Sequence, residues 1–299
     1  TRPLDLADEP LQPGSLDIAD APLQPGSLDV ADEPFGPTPA PANTLERVNK
    51  AINAWGCSVL YIKKTAGTWT LVTDSVYNRR ITAATPMLLT GPAAGDDKLK
   101  TSADTTGTEV LGTVNNCGNG YTPWGTYLGC EENWAFYFQA TGTGTGLSPK
   151  EVAARRRYGV AAAAPAAGVQ KAISQGWHTV SATDDRFARW NLAATGANAE
   201  RDFRNEANTF GYNVEIDPLA PNSTPAKRVA MGRFAHEAAV CSLPQAGQPL
   251  AFYMGCDSRN EYIYKFVTTA VWDPRDVGGG LVAGDKYLSE GKLYAARFD

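Results

Sequence analysis

Apolar residues in this chain come in short runs with turn formers between them. From residue 43 onward, Val59-Leu60-Tyr61-Ile62 and Trp69-Thr70-Leu71-Val72 predict two strands paired across a Lys/Gly turn. Residues 109–114, 212–216, 228–234, 250–254 and 262–267 predict further strands, punctuated by Gly, Pro and Asn. Many short strands of this kind indicate a sandwich, barrel or propeller. Two stretches read as helix. One is residues 45–52. The other is residues 149–157, where Ser148 is a natural N-cap and Glu151 completes a capping box. The alanine-rich stretch 161–173 predicts another helix, weakened by Pro165 and Gly168.

Residues 4–39 have a different texture. Leu4-Asp5-Leu6-Ala7-Asp8-Glu9-Pro10-Leu11-Gln12-Pro13-Gly14-Ser15 recurs from Leu16 and, less faithfully, from Leu28. Leu-Asp-Leu, Leu-Asp-Ile and Leu-Asp-Val alternate as half-buried short strands would, while the proline and acid content also suits an acidic linker. An ordered tail needs a surface to lie against, either its own domain or a neighbouring subunit. The organisation expected is an acidic repeat tail over 1–42 and a β region over 43–299.

Composition narrows the class. Of 299 residues, 43% are hydrophobic and 20% charged, as in a globular protein with a real core. A net charge of −5 argues against nucleic acid as a partner. No run of 18 apolar residues predicts a membrane span. Thr1 is not a start methionine and no signal peptide precedes it, so the chain reads as a processed or truncated product. The five cysteines, Cys57, Cys117, Cys130, Cys241 and Cys256, leave at least one thiol outside any intrachain disulfide scheme. With only His178 and His236, a histidine-rich zinc site is improbable, and a Ser-His-Asp arrangement would have to rest on His236.

The chemistry concentrates in four clusters. Residues 115–133, Asn-Asn-Cys-Gly-Asn-Gly-Tyr-Thr-Pro-Trp-Gly-Thr-Tyr-Leu-Gly-Cys-Glu-Glu-Asn, set Cys117 and Cys130 beside Glu131 and Glu132. Thiolates select softer transition metals and carboxylates suit calcium, so this mixture could hold two kinds of ion; a packed cysteine beside surface glutamates is the alternative. In residues 205–218, Glu215 and Asp217 read as the outward face of an edge strand ending at Pro218. His236-Glu237, read as a strand end, could ligate metal or serve acid–base chemistry, or be structural. Asp257 sits at a strand-to-turn junction, a place for a calcium ligand or for a plain turn aspartate.

Three segments together resemble the PhoX-type alkaline phosphatases. They are Asn-Asn-Cys…Thr-Pro-Trp-Gly-Thr…Cys-Glu-Glu-Asn; Asn-Glu…Phe-Gly…Val-Glu-Ile-Asp-Pro leading through Lys227-Arg228 to His236-Glu237; and Asp257…Arg259…Tyr-Ile-Tyr-Lys-Phe-Val. The resemblance runs from about Asn43 to Phe298, and Asp74 to Ile81 and Gly91 to Gly95 also fit it. It implies a β-propeller around a cluster of iron (Fe3+) and calcium that hydrolyses phosphate monoesters. It also implies export of the folded protein through the twin-arginine route to the periplasm or cell exterior. Carried over residue by residue, Cys130 is an iron ligand, Glu237 a metal ligand and Asp257 a calcium-associated aspartate. Glu131, Glu132 and His236 are further candidate ligands, and Arg259 a candidate for binding substrate. Cys117 then reads as a buried scaffold thiol, and Thr122-Pro123-Trp124-Gly125 as the turn that presents Cys130.

The chain also departs from that pattern. Cys256 stands where the family usually has an aspartate, and an upstream Asn-His-Glu segment is absent. Family members continue past the position of Asp299 through further blades, so this chain corresponds to about half of a typical member. Exposed strand edges, or the repeat tail, would then favour a homo-oligomer. A non-catalytic assembly protein whose tail joins subunits is the competing function, with a calcium-stabilised binding propeller as a third.

Overall fold

The computed structural model describes residues 43–142, 146–160, 175–180 and 184–297. The twelve-residue repeats and the 161–173 stretch lie outside the described residues. α1 (Leu45–Ala54), β1 (Cys57–Val59), β2 (Ile62–Thr65), β3 (Thr68–Leu71), β4 (Arg79–Ile81), β5 (Pro86–Thr90), β6 (Glu109–Leu111), β7 (Asn116–Tyr121) and β8 (Tyr127–Glu131) come first. After α2 (Pro149–Arg157) and the short α3 (Asp185–Ala188) come β9 (Asn213–Ile216), β10 (Ala226–Arg228), β11 (His236–Cys241), β12 (Pro249–Cys256), β13 (Ile263–Val271), α4 (Gly280–Leu288) and β14 (Gly291–Ala295). The fold is mostly β-sheet with few helices, and no closed barrel forms among the described residues.

The helices form where local signals are strongest. Thr44 accepts a hydrogen bond from the Arg47 amide at 3.2 Å, and Val48 and Ile52, one turn apart, bury the core face of α1. At α2 the Ser148 hydroxyl accepts from the Glu151 amide, and the Glu151 carboxylate accepts from the Ser148 amide at 2.7 Å, forming the expected capping box.

The strands build two main sheets. One has the order β6-β5-β10-β9-β8-β7, with β5 and β10 parallel and the other pairs antiparallel. The other is the antiparallel meander β11-β12-β13-β14. β8 separates two cores by the period-two alternation of a strand. Leu128 and Cys130 join Trp124, Phe252, Phe266 and Tyr287 in one. Tyr127 packs instead on the other, which gathers α1, Val214, Ile216 and the aromatic group Tyr137, Phe138, Trp177, Trp190 and Phe210.

Three local expectations change. The segment after Gly56 does not pair as one hairpin: β1 pairs with β4, and only β2 and β3 pair across Ala66-Gly67. Residues 228–234 do not continue as a strand, because β10 ends at Arg228 and Val229–Met231 makes a 3-10 turn closed by Gly232 at φ 94°. Glu215 does not face outward. β9 is a central strand, and Glu215 is fully buried, 2.6 Å from the Arg228 guanidinium, with the Trp124 indole donating to it at 2.7 Å. A buried carboxylate is tolerated where a cation and hydrogen bonds compensate it.

The two sheets approach backbone to backbone at β7 and β11. A Cβ on Gly118 would lie 1.9 Å from the Glu237 carbonyl oxygen, and one on Gly120 1.8 Å from that of Ala239. No side chain can yield there, so β11 itself would have to move. Gly120→Ala is expected to lower stability by about 2–3 kcal/mol, read from urea midpoints, with Gly255→Ala, whose Cβ would meet only the Glu237 Cβ at an ordinary 3.9 Å, as control.

Candidate metal centre

The close approach of β7 to β11 brings together side chains that are far apart in sequence. A bulge in β7 between Asn116 and Asn119 sets Cys117 off the regular ladder, where it is exposed. Its Sγ lies 3.6 Å from Oε1 of Glu237, the second residue of β11. Glu132 follows β8 directly, is buried, and is anchored by its amide donating to the Asn115 carbonyl at 3.1 Å. The donor atoms of Cys117, Glu132 and Glu237 all lie within 4.8 Å of one another. Asp257 adjoins them: its amide donates to the Ala235 carbonyl at 3.1 Å, and its carboxyl hydrogen-bonds Glu132.

The electrostatics of this group suit a cation. Burial, then the hydrogen bond to Asp257 and the charge of Glu237, push Glu132 up to about 7. Desolvation, followed by the neighbouring Glu132 and Glu237, pushes the Cys117 thiol up to about 12. A thiol at that value is a poor nucleophile near neutrality. A bound cation would relieve the repulsion and turn the same groups into ligands. One soft sulfur and two hard oxygens fit a transition metal of intermediate character, and the Glu132–Asp257 carboxylate pair fits calcium.

The other expected site residues lie elsewhere. Cys130 is fully buried in the core, and its thiol donates to Asn213 Oδ1 at 3.2 Å. Glu131 is fully buried on the opposite side of β8. It accepts from the Lys227 ammonium at 2.8 Å and from the Gly211 and Tyr212 amides at 2.8 and 3.1 Å. His236 opens β11 rather than ending a strand, and its ring stacks on Phe234 at 3.7 Å. Its Nε2 donates to the Gly232 carbonyl, and burial pushes the imidazole down to about 3, so it is neutral. Arg259 is exposed on the turn between β12 and β13. Cys117, expected as a buried scaffold thiol, is instead the sulfur that meets the carboxylates. Gly118 and Gly120 carry the signal that could have found it: alternate glycines on a strand mark a place where another backbone comes close. All five cysteines are free thiols.

The raised Glu132 value sets a pH signature. Its pKa is about 7 in the fold against the ordinary 4.5, so the native state holds the extra proton between those values. This contribution to stability is fully present below 4.5 and is lost as pH rises through about 7. The metal-stripped protein is expected to lose melting temperature over that window. Cation affinity should rise over the same window, because binding displaces the proton. Calorimetry with and without cation, and proton release on metal addition, check both.

No helix among the described residues is long and apolar enough to cross a membrane. Comparison with known proteins bears on the centre. A search of curated proteins gives no match. The solved structure of Pseudomonas fluorescens PhoX in complex with vanadate, a transition state analogue, is 39% identical and superposes with a TM-score of 0.70, over 86% of this chain. The chain spans 39% of that protein's length. The family model of alkaline phosphatase PhoX matches residues 30–299, and with both likenesses in agreement the chain belongs to the PhoX alkaline phosphatase family.

Proposed function

We propose that this chain contributes to the hydrolysis of phosphate monoesters, with Cys117, Glu132 and Glu237 holding a transition metal and Asp257 extending the centre toward calcium. The convergence of one thiol and two carboxylates within 4.8 Å carries the reading. Iron is the transition metal favoured, because it accepts thiolate and carboxylate together. Such ions supply charge neutralisation and polarisation of a phosphoryl oxygen. The chain's own part is to pre-position the donors: the glycine contact of β7 with β11 fixes Cys117 against Glu237, and the Asn115 carbonyl fixes Glu132. The proton that Glu132 holds beside Asp257 leaves as a cation enters.

The same reading extends to architecture and location. The β11–β14 meander has the form of one propeller blade, and the six-stranded sheet would supply strands of its neighbours. Family kinship favours an exported protein. The test is elemental analysis of the purified chain beside hydrolysis of p-nitrophenyl phosphate. Iron and calcium with turnover are expected. Absence of both metals, with no turnover after iron and calcium are added, would overturn the proposal.

A further inference from the structure

A cleft of about 470 Å³ opens beside the candidate metal centre and shares Cys117 with it. Its walls come from residues 56–60, from β7, from Tyr127 at the start of β8, and from Ile216 and Pro218 where β9 ends. Tyr121 stands opposite Tyr127 in the β7–β8 ladder, and the two rings meet edge to face at 5.9 Å. Cys117 and Tyr121 are four residues apart on one strand, up to about 13 Å when extended, so the cleft leads away from the metal centre along β7.

The lining is apolar and uncharged. Val59, Leu60, Ile216 and Pro218 supply aliphatic surface, and the two tyrosines supply aromatic surface. The Tyr127 phenol hydrogen-bonds the Cys57 thiol, and burial pushes both groups up, so both are neutral at pH 7. No Asp, Glu, Lys or Arg is among the described residues that line the cleft. Arg79 and Arg80, on β4 beside β1, are engaged by other groups. Arg80 donates to the Ser58 hydroxyl at 2.9 Å and to the Ala54 carbonyl, and Arg79 to the Asp217 and Pro218 carbonyls. A charged group entering this cleft would leave water without a counter-charge, whereas a neutral apolar group would gain from burial. Leu60 and Tyr121 are 60% and 71% exposed and belong to neither core, so a ligand can reach both and substitutions there leave the fold unloaded.

We propose that the cleft receives the ester group of the substrate: a neutral aryl group packs against Tyr121 and Leu60 while the phosphoryl group lies at the Cys117 end. This rests on the phosphatase reading. It adds a selection for phosphate monoesters of apolar alcohols and phenols over those whose ester group is charged. Water cleaves such an ester to inorganic phosphate and the neutral alcohol, so the cleft holds the product alcohol as well.

One test needs no turnover. 1-Naphthol, neutral at pH 7, titrated into the intact chain is expected to bind with a dissociation constant below about 1 mM. Tyr121→Ala and Leu60→Glu should each weaken it about fivefold or more, and Glu237→Gln, which alters the metal centre alone, should leave it unchanged. The other test compares phenyl phosphate with 4-carboxyphenyl phosphate, whose phenols differ little in acidity. Phenyl phosphate should be favoured about tenfold or more in kcat/KM, chiefly through KM. Leu60→Lys supplies a counter-charge and should narrow or reverse that preference, a gain that a misfolded variant could not show. Absence of naphthol binding, equal efficiency on the two esters, or a preference that Leu60→Lys leaves untouched would overturn the assignment of the cleft while the phosphatase reading stands. Naphthol bound by a chain that hydrolyses neither ester, even when supplied with iron and calcium, would overturn the phosphatase reading and the ester role with it.

Discussion

On the proposed function, Cys117→Ser is expected to remove the transition metal and the phosphate-monoester hydrolysis together, by about 100-fold or more in activity, while leaving the fold intact. Loss of even a group behind a ligand commonly costs 10- to 100-fold, so loss of the one soft donor should cost at least as much. The fold survives because Cys117 is exposed on a bulged edge strand and packs in neither core. Serine keeps the size but not the sulfur, and its hydroxyl stays protonated where a thiol facing a cation would not. Cys130 should behave in the opposite way. Its thiol is buried and bonded to Asn213 Oδ1, and the Asn213 amide in turn donates to the Met254 sulfur at 3.2 Å. Cys130→Ala removes that donor and leaves a small void, so stability should fall by about 1–2 kcal/mol with metal content unchanged. Elemental analysis and urea unfolding of the two variants side by side separate the roles. Metal lost from the Cys130 variant and kept in the Cys117 variant would reverse the assignment.

That pair of cysteines shows where reading the sequence stops. The features fixed by neighbours in sequence were legible: Thr44 capping α1, the Ser148–Glu151 box of α2, and the apolar runs of β12 and β13. Of the residues singled out as candidate chemistry, Cys117, Glu132 and Glu237 come together in space, with Asp257 beside Glu132. What was not legible depends on strand parity and on partners far away. Cys130, Glu131 and Glu132 are adjacent in sequence, yet successive side chains of β8 leave on opposite faces. The β7–β8 register, with its bulge, decides which of them meets β11. Period-two reading also assumes that charge faces water. Glu131, Glu215, Lys227 and Arg228 are all fully buried as two ion pairs, and nothing in their spacing distinguishes that from a solvated face.

The larger effect on stability belongs to Glu131. Its Oε1 accepts from the Lys227 ammonium at 2.8 Å, and its Oε2 from two backbone amides, all away from water. Lys227 is held besides by the Thr209 carbonyl at 2.9 Å and by the face of Phe210, 3.6 Å from the ring centroid, and burial pushes its pKa down to about 8. Glu131→Gln keeps the shape but leaves that ammonium without its counter-charge. Breaking a buried pair from one side costs about 3–5 kcal/mol. Against a typical total of about 5–15 kcal/mol, the urea midpoint should fall by roughly 1–2 M. Adding Lys227→Met to Glu131→Gln should recover much of the loss, because the stranded charge goes with the lysine, and the double-mutant cycle measures the coupling. Metal content should stay as in the parent protein. Glu132→Gln, one residue on, should do the reverse. It removes a carboxyl that the metal-free fold already holds protonated up to about pH 7, so stability at neutral pH should hold or rise, while cation affinity falls. Equal loss of metal in both variants would mean that the two carboxylates serve one centre. Loss from Glu132→Gln alone, with unfolding shifted in Glu131→Gln alone, is the outcome that opposite faces of β8 require.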